Sequence, residues 1–399
     1  MAILSPGTRI GGKYEVVEVI GFGGMGVVYK VREQVGAVSR IRALKTVLPQ
    51  HADDPEVVAR FRQEAEKMCM LEHENIVPVL SYSEEGQFPY LIMPFIEGQT
   101  LKDYLAAHIV EHGRPLPLHD VMQIGLEIAR GLQVAHGFVD PQTGRPSPMV
   151  HRDIKPGNVM VRVEDHGGER RLRIQIMDFG IAKVVSGQDS GHSLTGVIGT
   201  VRYASPEQIR RGKDIDPRAD IYSLGMVLFE LYSGRHMFAD MTEYSVLLRL
   251  AQHEVEENQP EFPEGAPDAF RELIRRSVAV DRNRRFGTVA EMQPIMRRIL
   301  DDDSGRRAIE ARRAEEHVEQ ARTAALGRDA AALVPSLVAD AESLLEQARR
   351  SEDPSLGIRL FHTAALAFER AAEAAAREQE RRRLADGVAG LEPLRAAAL

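Results

Sequence analysis

The segment Val150-His-Arg-Asp-Ile-Lys-Pro-Gly-Asn158 is the most informative part of this 399-residue sequence. Its Asp153 can accept a proton from a hydroxyl group, which is the role of a general base. Lys155 can neutralise negative charge on a group in transfer, and Asn158 offers a carbonyl oxygen, a hard ligand that suits Mg²⁺. Each residue type alone is common in solvated loops, but their combination in one segment favours a catalytic loop.

A glycine-rich turn lies between two runs of β-forming residues near the N-terminus. Gly21-Phe-Gly-Gly-Met-Gly26 interrupts the run that begins at Tyr14, and Val27–Val31 resumes it. Glycines allow backbone N–H groups to approach phosphates without a Cβ in the way. A dinucleotide-binding Rossmann turn has the same spacing, but it opens a helix, whereas Val27–Val31 continues as a strand. The pattern therefore predicts a strand–turn–strand cover for phosphate groups.

The charged residues that accompany these two motifs lie on distinct predicted elements. Lys45 lies on a strand from Ile41 to Leu48, and Glu64 lies on a helix from Pro55 to Leu71. Asp178-Phe-Gly180 directly follows a short apolar strand. Apolar periodicity supports these assignments. The same patterns predict strands at Val77–Tyr82 and Tyr90–Phe95 and helices at Leu101–His108, Leu118–His136 and Arg218–Tyr232.

These motifs occur in the order that is typical of protein kinases. Over about Lys13–Ile299, the sequence resembles the bacterial eukaryotic-like protein serine/threonine kinases. The resemblance implies an α+β, two-lobed kinase fold with a β-rich N-lobe over 13–96 and a helical C-lobe over 97–299. Residues 1–12 would be an N-terminal extension, and 300–399 an all-α, Ala/Glu/Arg-rich helical tail.

The resemblance also implies a role for each residue that matches a kinase motif. Asp153 would be the base for the substrate hydroxyl, and Lys45, paired with Glu64, would hold the phosphates of ATP. Asn158 and Asp178 would bind Mg²⁺. The residues expected to act in catalysis are Asp153, Lys155, Lys45, Glu64 and Thr200. The residues expected to bind the nucleotide are Ile20, Gly21, Gly23, Gly24, Gly26, Val28, Ala43, Lys45, Met93, Pro94, Ile96, Asn158, Met160 and Asp178.

Other expectations concern the residues that brace the site. Glu207 should pair with Arg285, although the adjacent Arg284 is an alternative partner. Asp220 should brace the catalytic loop, and Phe179 should pack against Met68 and His151. The resemblance assigns these side chains structural roles and no direct part in catalysis.

The substrate class and a mode of activation also follow from the resemblance. Lys155 and Thr200 are the residues expected in kinases of Ser/Thr-bearing proteins at these positions. The presence of Arg152 before the catalytic aspartate implies a loop that is ordered by a phosphate. Autophosphorylation is therefore expected within Ile181–Val201, at Thr195 and at Ser193 as a second site.

The tail after Asp301 carries three helical patterns and no catalytic motif. Asp301–Gly305 is expected to be a linker, with helix breaks near Gly327 and near Ser351–Pro354 and a helical hairpin in the last part. The proposed apolar face of the last helix consists of Leu356, Leu360, Ala364, Leu366 and Phe368. This face is expected to need the kinase domain or another chain as a partner, which predicts docking or self-association. The alternative is a solvated charged helix that only pads the C-terminus.

Composition limits the remaining possibilities. Apolar residues make up 43% and charged residues 28%, which is typical of a globular protein, and the net charge of -8 argues against nucleic-acid binding. The single cysteine, Cys69, is expected to be a small core residue in a reducing compartment. We identify neither a signal peptide nor an apolar run of the roughly 20 residues that a membrane helix needs, so a cytoplasmic protein is expected.

Two other functions are compatible with parts of this pattern. A pseudokinase would serve as a scaffold or binding module, but Lys45, Glu64, Asp153, Asn158 and Asp178 are all present. A kinase of small molecules, such as an antibiotic phosphotransferase, would lack the long segment between Asp-Phe-Gly and Pro-Glu. An active protein kinase is therefore the leading hypothesis.

Overall fold

The structure is a computed structural model, and it describes residues 3–23, 26–48, 54–85, 88–166, 169–179, 201–210, 214–252, 258–327, 329–351 and 353–389. The chain divides into two compact units. The first comprises Met1–Glu164 and Arg171–Leu300, and the second comprises Asp165–Arg170 and Asp301–Leu399. The two units are described separately below.

The N-terminal part of the first unit is an antiparallel sheet of six strands in the order β1-β2-β3-β4-β6-β5. The strands are β1 Arg9–Ile10, β2 Tyr14–Gly23, β3 Gly26–Val35, β4 Val38–Val47, β5 Ser81–Glu85 and β6 Phe88–Pro94. Side chains alternate between the two faces, so Leu44 enters one buried cluster while Ala43 enters another. The strand predicted from Val77 begins only at Ser81, because the Val77 N–H bonds to the carbonyl of Ile176 instead.

Helix α1, Pro55–Cys69, packs against this sheet. Asp54 caps it, since its Oδ1 accepts hydrogen bonds from the N–H groups of Glu56 at 2.9 Å and Val57 at 3.3 Å. The buried stripe consists of Val57, Phe61, Ala65 and Met68. Cys69 follows this stripe on the exposed side of the helix, so the prediction of a core cysteine is wrong.

The rest of the first unit is mainly helical. Its helices are α2 Leu101–His112, α3 Leu118–His136, α4 Pro206–Ile209, α5 Arg218–Ser233, α6 Glu243–Ala251, α7 Asp268–Ser277 and the first part of α8 Val289–Leu326. A small sheet has the order β7 Gln99–Thr100, β8 Val159–His166 and β9 Glu169–Ile176. Helix α5 is central and almost wholly buried. It approaches α7 closely at Gly225, where a Cβ would lie only 2.6 Å from the Cβ of Ser277.

The second unit contains the remainder of α8 together with α9 Ala330–Leu333, α10 Pro335–Arg350 and α11 Pro354–Ala389. The helix breaks near Gly327 and Ser351 are as predicted, whereas Asp301–Gly305 is helical and not a linker. The carboxylate of Asp303 is buried and pairs with Arg307 one turn later at 2.9 Å, which supports the helix through this charged segment.

The core of the second unit is built mostly from alanines, which let helices approach closely. In α11 the buried residues are Phe361, Ala364, Ala365, Phe368, Ala371, Ala372 and Ala375. Residues of α8 and α10 complete the same cluster. The prediction was wrong for Leu356 and Leu366, which are 41% and 54% exposed. The tail's own helices cover Ala364 and Phe368, and docking or self-association of the tail stays a prediction. No described helix combines the length and the hydropathy that a membrane span requires.

Candidate active site

Asp220 fixes the backbone of the catalytic loop from beneath. This aspartate lies in the first turn of α5, and its side chain is fully buried. Its Oδ2 accepts a hydrogen bond from the N–H of His151 at 2.8 Å, and its Oδ1 accepts one from the N–H of Arg152 at 2.7 Å. Arg152 has a φ of 67°, a left-handed conformation that costs free energy in a non-glycine residue. Hydrogen bonds to a charged acceptor offset this cost.

His136 is a brace that the sequence did not identify. It is the last residue of α3, and its Nε2 lies 2.8 Å from Oδ2 of Asp220. Burial would raise the pKa of Asp220, but the hydrogen bond from His136 and the nearby imidazole of His151 hold it below the usual range. Asp220 therefore stays ionised, as the prediction that it braces the loop requires.

Asp153, Lys155 and Asn158 converge at the end of this loop. Oδ2 of the buried Asp153 accepts hydrogen bonds from Nζ of Lys155 at 2.9 Å and from Nδ2 of Asn158 at 2.8 Å. A 3₁₀ turn, Pro156–Asn158, holds Asn158 in place. Oδ1 of Asp153 is buried and has no hydrogen-bond partner within the described part of the chain. A buried carboxylate oxygen without a donor is unfavourable, so this atom is available to a hydroxyl group.

Lys45 and Asp178 meet across the cleft between the sheet and the helical part. Nζ of Lys45, on β4, lies 2.6 Å from Oδ1 of Asp178. Burial would raise the pKa of Asp178, but the ammonium of Lys45 outweighs it and lowers that pKa. The half-buried Glu64 of α1 forms no ion pair with Lys45 among the described residues, so the predicted Lys45–Glu64 pair is absent from this conformation.

Phe179 links the Asp178 segment to the catalytic loop. Its ring is 1% exposed and stands edge-on to the ring of His151, with 4.6 Å between the centroids. Nε2 of His151 lies 2.7 Å from the carbonyl oxygen of Met177. The predicted contact between Phe179 and His151 is therefore confirmed.

The predicted nucleotide residues line one region of the sheet. Ala43 of β4 lies opposite Met93 of β6, and both are buried. Val28 lies opposite Lys45 and is partly buried. Gly26 is required by close packing, because a Cβ there would lie 2.2 Å from the backbone oxygen of Thr46.

The other predicted site residues lie on neighbouring elements or outside the described structure. Gly21 and Gly23 lie in β2, and Pro94 is the last residue of β6. Ile96 and Met160 are partly buried, the latter in β8, and Ile20 is 43% exposed. The residues outside the described structure are Gly24, Ser193, Thr195 and Thr200.

Glu207 and Arg285 form a buried, two-pronged ion pair. Nη1 and Nη2 of Arg285 lie 2.7 and 2.9 Å from the two carboxylate oxygens of Glu207. The same guanidinium donates from Nε to the carbonyl oxygen of Ala279 at 2.7 Å. Burial opposes ionisation of Glu207, but Arg285 holds the pKa of this carboxyl below its usual range. The choice of Arg285 over the exposed Arg284 is confirmed.

The short turn Val201–Tyr203 is anchored from two sides. The hydroxyl of Tyr203 donates to Oε2 of Glu230 at 2.6 Å, and burial raises the pKa of Glu230. Arg202 donates to the carbonyl oxygens of Phe238 at 2.6 Å and Met241 at 2.8 Å. Sequence reasoning missed this anchor, because its acceptors are backbone atoms that no residue type marks.

The comparisons with known proteins agree with this architecture. The family model of the protein kinase domain matches residues 14–297. Serine/threonine-protein kinase PrkC of Bacillus subtilis is 34% identical over 297 residues, which is 74% of this chain and 42% of PrkC. Serine/threonine-protein kinase PknB of Mycobacterium tuberculosis is 33% identical over 301 residues, 73% of this chain and 44% of PknB. The chain thus spans less than half the length of these curated relatives.

A solved structure supports the same assignment. The kinase domain of PknI from Mycobacterium tuberculosis superposes with a TM-score of 0.54 at 27% identity, and the match covers 75% of this chain and all of that domain. The expected two-lobed fold, a strand-rich lobe followed by a helical lobe, is therefore confirmed. The chain belongs to the protein kinase family, and the relatives it matches include bacterial serine/threonine-protein kinases.

Proposed function

We propose that this chain transfers the terminal phosphoryl group of ATP to serine or threonine hydroxyls of protein substrates. The observation that carries the proposal is Oδ1 of Asp153, which has no hydrogen-bond partner among the described residues and lies in the same carboxylate that binds the ammonium of Lys155. One oxygen of this carboxylate is fixed by two donors, which leaves the other to accept a hydroxyl proton. The names of the curated relatives support serine and threonine as the acceptor residues.

In this proposal the catalytic loop acts by positioning and by charge. Asp153 would orient the substrate hydroxyl through Oδ1 and accept its proton as the new bond forms. Lys155 would offset negative charge beside the acceptor, since its Nζ already lies 2.9 Å from Asp153. Phosphoryl transfer asks little covalent chemistry of the protein, so fixed donors and cations are sufficient.

The residues on the nucleotide side fit Mg²⁺ and the phosphates. Within the described structure, Asn158 uses its amide nitrogen in its two side-chain hydrogen bonds, and its carbonyl oxygen can serve as a ligand. Asp178 contributes a carboxylate that is held in the ionised form. Mg²⁺ bound by these hard oxygen ligands would neutralise phosphate charge. We propose that Lys45 then moves from Asp178 to the phosphates and to Glu64.

Activation through the loop after Asp178 is part of the same proposal. The guanidinium of Arg152 forms no ion pair with any residue that the structure describes. A phosphate on Thr195 or Ser193 would supply the missing anion, because it carries roughly -1.5 to -2 charges. Both sites lie outside the described structure, so the support comes from Arg152 alone. Mass spectrometry of the wild type and of Asp153→Asn, together with kinetics of Thr195→Ala, tests it.

The test of the function is phosphate transfer to a protein. The purified chain would be incubated with Mg·ATP and a generic protein substrate, with Asp153→Asn as the control. Transfer to serine and threonine by the wild type alone is the expected result. Binding of ATP without transfer to any protein would instead support the scaffold hypothesis, and transfer only to small molecules would contradict a protein kinase.

A further inference from the structure

A cavity of about 360 Å³ is lined in part by Phe238 and Met241, whose carbonyl oxygens anchor Arg202. Its apolar wall consists of Phe229 from α5 and of Met237, Phe238 and Met241 from the segment between α5 and α6. This volume falls at the lower end of the range typical of small-molecule sites. None of the residues proposed for catalysis or nucleotide binding lines it.

Arg249 introduces a positive charge into this cavity. It lies on α6 and is half-buried, and its Nε is buried without a hydrogen-bond partner. No residue in the described part of the chain forms an ion pair with it. Burial raises the pKa of the Tyr222 phenol, and the nearby positive charge of Arg249 acts in the opposite direction. A buried guanidinium N–H without an acceptor is unfavourable, so the orphaned Nε of Arg249 favours an anion beside it.

Two further observations concern the other polar groups of the wall. The acids at the rim, Asp240 and Glu261, lie on the surface, where Arg235 is 3.0 Å from Glu261 and 4.0 Å from Asp240, and neither acid forms an ion pair with Arg249 in the described structure. Asn258, which is 7% exposed, donates through Nδ2 to Tyr222 and to a backbone carbonyl. Its Oδ1 is buried and has no partner in the described structure, so it can accept a protonated or hydroxylic group of a ligand.

From these contacts we propose that the cavity binds a small organic oxyanion, a carboxylate or a phosphate monoester on a short apolar body. The oxyanion pairs with Arg249, and the apolar body packs against the methionine and phenylalanine side chains. Guanidinium groups bind carboxylate and phosphate alike, so both head groups belong to the proposal. The site is separate from the proposed phosphoryl transfer and does not depend on it.

The test uses three probes of one shape on the full chain. Benzyl phosphate and phenylacetate carry the two anionic heads, and benzyl alcohol is the neutral analogue. Titration calorimetry of the wild type should show saturable binding of at least one anion and much weaker binding of the alcohol. Binding of both anions indicates general oxyanion recognition, and binding of one identifies the head group. Equal affinity for the alcohol, or no saturation by either anion, overturns the proposal.

Substitutions of Arg249 sharpen the test. Arg249→Met should weaken binding of the anion about 10- to 100-fold, the effect of losing a charge-assisted hydrogen bond. Arg249→Lys should retain part of the affinity, because it keeps the charge but not the planar donors. Arg377→Met is the matched control, since that arginine side chain is 83% exposed in the second unit. Unchanged affinity in Arg249→Met contradicts the site.

A measurement on the wild type locates the ligand even where a variant folds poorly. Methyl resonances of ¹³C-labelled methionine should shift for Met237 and Met241 when the anion is added. The substitutions Met237→Leu and Met241→Leu assign these two signals. Binding that leaves both signals in place, while other methionines shift, would place the ligand elsewhere and overturn the proposal.

Discussion

The two sides of the candidate active site are held in different ways. The catalytic-loop side rests on Asp220, a fully buried carboxylate with two backbone donors and His136 around it. On the nucleotide side, the described residues form one ion pair, between Lys45 and Asp178, and the side chain of Asp178 is 29% exposed. In the described structure both oxygens of Asp220 are engaged, whereas Lys45 and Asp178 are joined by one ion pair, which the proposed shift of Lys45 toward Glu64 would break. We infer that the base is fixed before substrates bind, while the phosphate-binding side rearranges.

The largest effect should come from the fixed side, at Asp153. Asp153→Asn should lower kcat by about 10²–10⁴-fold, because the amide cannot accept the proton. ATP affinity, measured by calorimetry, should stay close to that of the wild type, because the amide oxygen of the variant can still accept the hydrogen bond from Asn158. Asp214→Asn, on an exposed segment, is the control. Turnover close to that of the wild type would show that Asp153 is not the base.

The second-largest effect should come from replacing Asp220, the buried carboxylate that braces the catalytic loop. Asp220→Ala should lower the free energy of unfolding by about 3–5 kcal/mol, because it leaves buried donors without an acceptor. Asp220→Asn should cost less, since one oxygen remains to accept. Urea denaturation of both variants measures the difference. If Asp220→Ala is as stable as the wild type, the loop is not held by this carboxylate.

The Glu207–Arg285 pair should make stability depend on pH in the acid range. The pKa of Glu207 is lowered on folding from its ordinary value of 4.5, so its contribution is complete above that value and is lost as the pH falls through the folded-state pKa. Wild type should exceed Glu207→Gln by about 1–3 kcal/mol at pH 7, and the gap should shrink toward pH 3. A gap that does not change with pH would contradict this origin.

The smallest effect on stability should come from the nucleotide side, where Lys45 pairs with Asp178. Lys45→Met should abolish phosphate transfer but lower the free energy of unfolding by about 1 kcal/mol or less, because partly exposed Asp178 can rehydrate. Thermal unfolding and the transfer assay measure the two quantities. A variant that melts far below the wild type would show that Lys45 is structural, and the contrast between the two sides would then fail.

The sequence predicted the contacts between residues that kinase motifs connect, and it missed contacts between residues that no motif connects. Arg285 and Asp220 were identified because their partners are set by the motif that carries them. His136 was missed, since a histidine at a helix end has no pattern that reveals a carboxylate in another helix. The Lys45–Glu64 pair stays a prediction, since Lys45 pairs with Asp178 in this conformation and sequence order does not decide which of two carboxylates is nearer.

The tail shows a different reason for error. Of the predicted face of α11, Ala364 and Phe368 are buried and Leu360 is partly buried, but Leu356 and Leu366 are exposed, and further alanines take their place in the core. Alanines contribute little to the apolar periodicity of a helix, yet they allow helices to pack closely. The charged run at Asp301–Gly305 was likewise taken for a linker, although Asp303 and Arg307 stabilise a helix there.

The pair between Glu207 and Arg285 also has a consequence for how the helical part comes apart. It joins positions 78 residues apart, and Arg285 in addition holds carbonyl oxygens of Arg218 and Ala279. Local fraying of α5, α6 or α7 cannot separate Glu207 from Arg285 while the guanidinium stays in place. Amide hydrogens across 207–285 should therefore exchange with solvent in one cooperative opening, as a single foldon tied at its two ends.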